Sequence, residues 1–275
     1  MRCSDIPVVI LCGGEGTRIR EETGTKPKPL IEVGPEPILL HIMKLYAAHG
    51  FRRFVLCLGY RGVMIKEYFL NREMRLRDLK LDLGTGERSF LGRSDEMDWE
   101  IVFAETGAKT QTGGRIKRCA SYIDQPTFMV TYGDGLADID LQELLAYHLA
   151  HGRIGTVTGV GVSSQFGELK IEGDSVTAFS EKPTNRSLIN GGFFVFQRAF
   201  LDYLSLDTDC ILEGAPLERL AADGNLQVRR HDGFWRCMDT FKDYQSLNEL
   251  YATETPPWVQ TVTDQATGSI RGVAA

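Results

Sequence analysis

Two kinds of hydrophobic spacing alternate along the chain. Val8 to Cys12 (VVILC) is apolar without interruption, as a strand is when its sheet is covered on both faces. PEPILLHIMKLYAAHG instead sets Ile38, Ile42, Leu45 and Tyr46 along one helical stripe and stops at Gly50. RFVLCLGY reads as a second strand and GVMIKEYFL as a second helix, and WEIVFAE, GGRIKRCASYI, TFMVTYGD and DLQELLAYHLAHG continue the alternation. This rhythm predicts an α/β fold, a mostly parallel mixed sheet with helices on both faces. After Gly152 the segments GTVTGVGV, GELKIEG, SVTAFSEK and GGFFVFQ are strand-rich with glycine turns, which predicts antiparallel additions in the C-terminal half. FKDYQSLNELYA is a closing helix. Asn71 to Asp98 is charged and irregular and reads as an insertion, a lid or an assembly element. With no repeat or linker, residues 1–260 read as one domain, and 261–275 as a loose polar tail.

Composition narrows the function. Of 275 residues, 43% are hydrophobic and 25% charged, an ordinary globular balance. Acidic residues outnumber basic ones 37 to 31, so a general nucleic-acid surface is not expected; any phosphate must be held by a local cluster. The six cysteines are scattered without a C-x-x-C pair, which argues against a disulfide framework or zinc site and for a reducing cytoplasm. IPVVILC is short and lacks a small-residue cleavage site, so it reads as a strand rather than a signal peptide. No segment approaches the ~20 apolar residues that span a bilayer.

The first strand runs into CGGEGTRIREETGTKPKPL, three glycines followed by Arg18, Arg20, Lys26 and Lys28. Glycines let backbone amides approach a phosphate, and cations neutralise it. The dinucleotide fingerprint G-x-G-x-x-G fails, since from Gly14 its third glycine falls at Ile19, and no Gly-Lys-Ser/Thr follows for a Walker A loop. Taken alone, the glycines also suit a tight strand-to-helix turn.

LCGGEGTRI followed by KPKPL resembles the signature of the sugar-1-phosphate nucleotidyltransferases. EPILLHIMK, GYRGVMIKEYF, TGGRIKR, TYGDGLADID, EKP, INGGFFVF and GFWRCMDT resemble the cytidylyl-transferring branch, in order and at family-like spacing from about Val8 to Trp258. Cys12 stands where the family usually has Ala. The resemblance implies a Rossmann-like, GT-A-like nucleotidyltransferase fold and CTP and a hexose 1-phosphate as substrates. It also implies a homo-oligomer, often a hexamer, with Asn71–Asp98 as a candidate contact. UTP, dTTP or GTP remain alternative donors, and a catalytically idle relative an alternative class.

In such a reaction the sugar phosphate attacks the α-phosphorus and pyrophosphate leaves. The nucleophile's second pKa is ~6, so it needs no protein base, and catalysis reduces to positioning and charge neutralisation. By resemblance, Leu11, Gly13, Gly14, Gly16, Thr17, Arg18, Lys28, Thr110, Arg115 and Gly133 hold the nucleotide. Arg18 would grip the outer phosphates, Lys28 the α-phosphate, and Lys182 the sugar phosphate. Glu181, Asn190 and Gly191 would shape the sugar pocket, and Asp134 and Asp239 would share one Mg²⁺. Lys26 reads as a rim charge and His41 as a core residue. His148 and His151 fit cations near a helix C-terminus rather than metal ligands. Gly191 and Gly192 equally suit a strand bulge, and Asp239 a helix cap.

Overall fold

A computed structural model describes residues 2–16, 24–92, 97–161, 168–180, 187–253, 255–259, 262–263 and 270–271. Strand β1 (Pro7–Leu11) is buried at every position, as its unbroken apolar sequence requires. A small ladder of β2 (Glu32–Val33) and β3 (Glu36–Pro37) leads into helix α1 (Ile38–Ala48) and strand β4 (Arg53–Leu58). Helices α2 (Gly62–Leu70) and α3 (Arg72–Leu76) precede a hairpin of β5 (Leu79–Leu81) and β6 (Arg88–Phe90), followed by β7 (Glu100–Glu105). Next come helix α4 (Thr112–Arg118), strands β8 (Thr127–Tyr132) and β9 (Gly135–Ala137), and helix α5 (Leu141–His151). The second half holds β10 (Gly155–Gly161), a hairpin of β11 (Glu168–Glu172) and β12 (Ser175–Ser180), and β13 (Leu188–Gln197). Helix α6 (Ala215–Ala222), strands β14 (Leu226–His231) and β15 (Trp235–Cys237), and helix α7 (Phe241–Tyr251) follow.

One seven-stranded sheet has the order β14-β10-β13-β8-β1-β4-β7. Strand β1 pairs in parallel with β4 and β8, and β4 with β7. The antiparallel additions expected after Gly152 come down, in this sheet, to β13, which opposes both β8 and β10; β14 is parallel to β10. Along β1, Val8 and Ile10 enter a core with α1, whereas Val9 and Leu11 enter a core with Val55, Phe128 and Phe194. The predicted stripe of α1 is fully in the core, and Leu39, Leu40 and Met43 are buried too, so this helix is enclosed on more than one face. His41 is a core residue, its Nε2 2.8 Å from the Val33 carbonyl. In Asn71–Asp98, expected to be irregular, the described residues form α3 and the β5–β6 hairpin. Val262–Thr263 pairs with Ile270–Arg271 within the segment expected to be loose.

The His148–His151 reading needs correction. His148 Nδ1 and His151 Nε2 lie 2.8 and 2.7 Å from the Thr156 hydroxyl. A hydroxyl donates one proton, so one of the two rings accepts it and the other donates to the oxygen. Burial, reinforced by His151, pulls the His148 pKa down to about 4, so His148 is neutral rather than a cation on the helix dipole. The unfolded chain binds this proton at a higher pH than the folded one. Stability contributed here is complete above ~6.5 and is lost as pH falls from there toward 4, by roughly 2–3 kcal/mol. Urea unfolding between pH 4 and 7 should show that slope, and His148→Leu should flatten it; equal slopes in the two proteins would refute the assignment.

Candidate active site

In an open α/β sheet, ligands sit beyond the carboxyl ends of the strands. Here the ends of β1 and β8 open onto a cavity of about 370 Å³. Leu11, Gly13, Gly14, Gly16 and Lys28 line it from the N-terminal motif, Thr110 and Arg115 from the start of α4, Gly133 and Asp134 from the end of β8, and Asp239 from the loop before α7. The fold thus gathers ten of the residues expected at the site around one space. Thr17, Arg18, Glu181 and Lys182 lie outside the described residues.

Lys28 is the centre of this cavity's charge. Its ammonium donates to Asp134 Oδ2 at 2.6 Å and to Asp239 Oδ1 at 2.7 Å. Lys28 opens a short 3-10 turn, Lys28–Leu30, with Pro27 before it and Pro29 buried inside it, so the segment is stiff where the ammonium leaves it. Asp134 and Asp239 meet because β15 pairs antiparallel with β9, and the Met238 amide donates to the Asp134 carbonyl at 2.9 Å. Burial by itself pushes the Lys28 pKa down, but the two carboxylates outweigh it and hold the amine above its usual value. Burial and the charges of Asp239 and Asp134 push the Cys237 thiol up to about 12, so it stays protonated, with Sγ 3.6 Å from Asp239 Oδ2. Asp239 is not a helix cap: Thr240 caps α7, in a reciprocal box with Asp243.

The glycine loop is held from behind by Arg115, which is only 4% exposed. Its guanidinium donates to the carbonyls of Leu58, Gly107, Gly13 and Ala108 and to the Thr106 hydroxyl. Arg115 was expected to contact the nucleotide; it lines the cavity, but these donors tie the end of β1 to the ends of β4 and β7. A Cβ on Gly13 would lie 2.1 Å from the Arg115 guanidinium carbon, and one on Gly59 2.6 Å from the Gly13 carbonyl, so neither position has room for a side chain. Gly14 faces open space. Thr110 is buried and accepts from Arg118 at 2.9 Å. Lys26, expected on the rim, does not line this cavity; it pairs with Glu32 at 3.4 Å beside a separate pocket.

Asn190 and Gly191 stand on β13, where its pairing with β10 shifts register between Val157 and Gly159. The strand bulge suggested for the double glycine is therefore present, with Gly192 at φ +81°. Thr158 and Val160 of β10 crowd Gly191, so its missing side chain makes room for a neighbouring strand. Tyr132 and Thr112 also line the cavity and escaped the sequence reading. Tyr132 could have been found there: it is the last residue of a strand, directly before Gly133-Asp134.

The chain belongs to the nucleotidyl transferase family, whose pattern matches residues 7–254. A Bacillus subtilis (strain 168) protein named "Probable glucose-1-phosphate cytidylyltransferase" is 47% identical over 250 residues, 91% of this chain and 98% of that one. The glucose-1-phosphate cytidylyltransferase of Salmonella typhi is 41% identical over 252 residues, 91% of this chain and 97% of its own. The crystal structure of HddC from Yersinia pseudotuberculosis complexed with GMP-PN shares the fold, with a TM-score of 0.62 at 21% identity over 90% of this chain and 99% of that one.

The glycine geometry makes a direct prediction. Gly13→Ala should displace Arg115 and cost about 1–3 kcal/mol of stability, whereas Gly14→Ala should unfold like the parent. Chemical denaturation of the three proteins checks this; a Gly13→Ala protein as stable as the parent would contradict the packing described.

Proposed function

We propose that the chain transfers a cytidylyl group from CTP to α-D-glucose 1-phosphate, releasing pyrophosphate and forming CDP-glucose. The observation that carries the reaction class is the Lys28 ammonium between two carboxylates, beside a glycine loop at the ends of parallel strands. The choice of cytosine and glucose rests on the relatives' names and on the length over which the chain matches them.

The residues fit a divalent cation. Asp134 and Asp239 aim one oxygen each at a single cationic point, and Mg²⁺ takes hard carboxylate oxygens together with substrate phosphates. These two residues would hold the ion, and when bound it would supply charge neutralisation at the phosphates. Amides of the Gly13–Gly16 loop approach the triphosphate, and Lys28 meets the charge that builds on the α-phosphate. Arg18 is assigned to the outer phosphates, and Lys182 to the incoming sugar phosphate with Glu181 on a sugar hydroxyl. The attacking phosphate is already a dianion, so these groups orient and neutralise rather than remove a proton.

Assembly with further copies of the chain completes this reading. Val63, Leu70, Leu76, Leu81, Leu83 and Leu91 are exposed along α2, α3 and the β5–β6 hairpin, more apolar surface than so small a lobe would leave in water unpartnered. No helix among the described residues is long and apolar enough to cross a membrane.

Pyrophosphate release with glucose 1-phosphate and each of CTP, UTP, dTTP, GTP and ATP tests the base. CTP should give the highest kcat/KM; a clear preference for another triphosphate would overturn the cytidylyl assignment alone. Activity should disappear with a chelator and return with Mg²⁺, and Asp134→Asn and Asp239→Asn should each lose turnover while folded. Near-normal rates in either variant would remove that residue from the metal site.

A further inference from the structure

Along one wall of the cavity, a chain of side-chain hydrogen bonds links Thr112, at the start of α4, to β13. The Tyr132 hydroxyl donates to Glu213 Oε1 and accepts from Asn190 Nδ2 at 3.0 Å. Glu213 Oε2 accepts from the Thr112 hydroxyl at 2.7 Å. Both ends are fixed by backbone amides. The Gly192 N–H donates to Asn190 Oδ1 at 2.8 Å, so the NH₂ group of Asn190 must face Tyr132. The Leu212 N–H donates to the Thr112 oxygen at 2.9 Å, so the Thr112 proton must point at Glu213.

Glu213 therefore receives a proton from each side, which a carboxylate alone among the common side chains can do with both of its oxygens. Burial and the Glu213 charge both raise the Tyr132 pKa, so the phenol keeps its proton for Glu213 and turns a lone pair to Asn190. The ring is held in place as well. It meets Phe194 edge-on at 5.9 Å, and a Cβ on Gly192 would come within 2.5 Å of it. A carboxylate near a site for polyanions repels its ligands, so a compensating role is called for. Neither Glu213 nor Tyr132 has a part in the chemistry assigned above.

We propose that Glu213 is a positioning residue that acts through Tyr132 to fix the side-chain amide of Asn190, leaving its second N–H directed to the hexose phosphate. This rests on the reading that Asn190 meets the sugar. The Thr112 hydroxyl holds the other oxygen of this carboxylate, so the oxygen that meets Tyr132 is fixed in place.

The test is a double-mutant cycle in steady-state kinetics, with glucose 1-phosphate and CTP varied in turn. Tyr132→Phe and Glu213→Ala should each raise the KM for glucose 1-phosphate roughly three- to tenfold, the scale of one lost hydrogen bond, with the KM for CTP within about twofold. Asn190→Ala should raise the same KM, and adding either other substitution to it should change nothing further, because all three act on one amide. A purely structural role would not produce that silence. Additive effects, or an equal rise in the KM for CTP, would overturn the relay while leaving Asn190 at the sugar. An unchanged KM in Asn190→Ala would overturn both the relay and the sugar assignment, and the wild-type triphosphate panel would still stand.

Discussion

Two like charges held close together demand a cation, and much of the site follows from that demand. Asp134 and Asp239 converge on Lys28 from 106 and 211 residues away along the chain. Their proximity is set by the β9–β15 ladder and by the stiff turn that carries Lys28. Leaving two partly buried carboxylates unpaired is costly, so removing any one of the three changes the electrostatics of the other two. The same cluster suits phosphoryl chemistry, in which negative charge must be gathered, neutralised and released at one point.

Around this centre the protein keeps its glycine loop open by putting the bracing elsewhere. Arg115 grips carbonyls from behind, so the amide face of Gly13 and Gly14 can turn toward the cavity. The guanidinium is charged at any working pH, although burial pulls its pKa below the usual value. The Glu213–Tyr132–Asn190 relay does for the sugar side what Arg115 does for the loop. Both braces are polar networks whose donors are matched to acceptors; that of Arg115 is buried, whereas Glu213 and Asn190 are exposed.

The sequence was most legible where burial writes a period. The β1 run and the α1 stripe were readable because a strand covered on both faces and a packed helix leave different spacings. Lys28, Asp134 and Asp239 were legible because short motifs carry them, and resemblance to a family paired them. Strand direction was legible only in part: the antiparallel addition expected at GGFFVFQ is β13, but nothing in GTVTGVGV says that β10 runs parallel to β14. LQVRRH carries no unbroken apolar run, so β14, half-exposed at the sheet edge, left little trace. Arg115 and Tyr132 eluded their roles for one reason. Their partners, Gly13, Leu58, Glu213 and Asn190, become neighbours only when the sheet has formed.

The central claim is that the Lys28 charge acts on the reacting phosphate and is more than a strut between two aspartates. An interaction made chiefly in the transition state appears in kcat, while a strut appears in stability. The decisive measurement is kcat, both KM values and the unfolding free energy of Lys28→Ala beside the wild type. The account predicts a kcat lowered roughly a hundredfold or more, with KM for glucose 1-phosphate little changed and the protein folded. A kcat near that of the wild type, with only stability reduced, would contradict it.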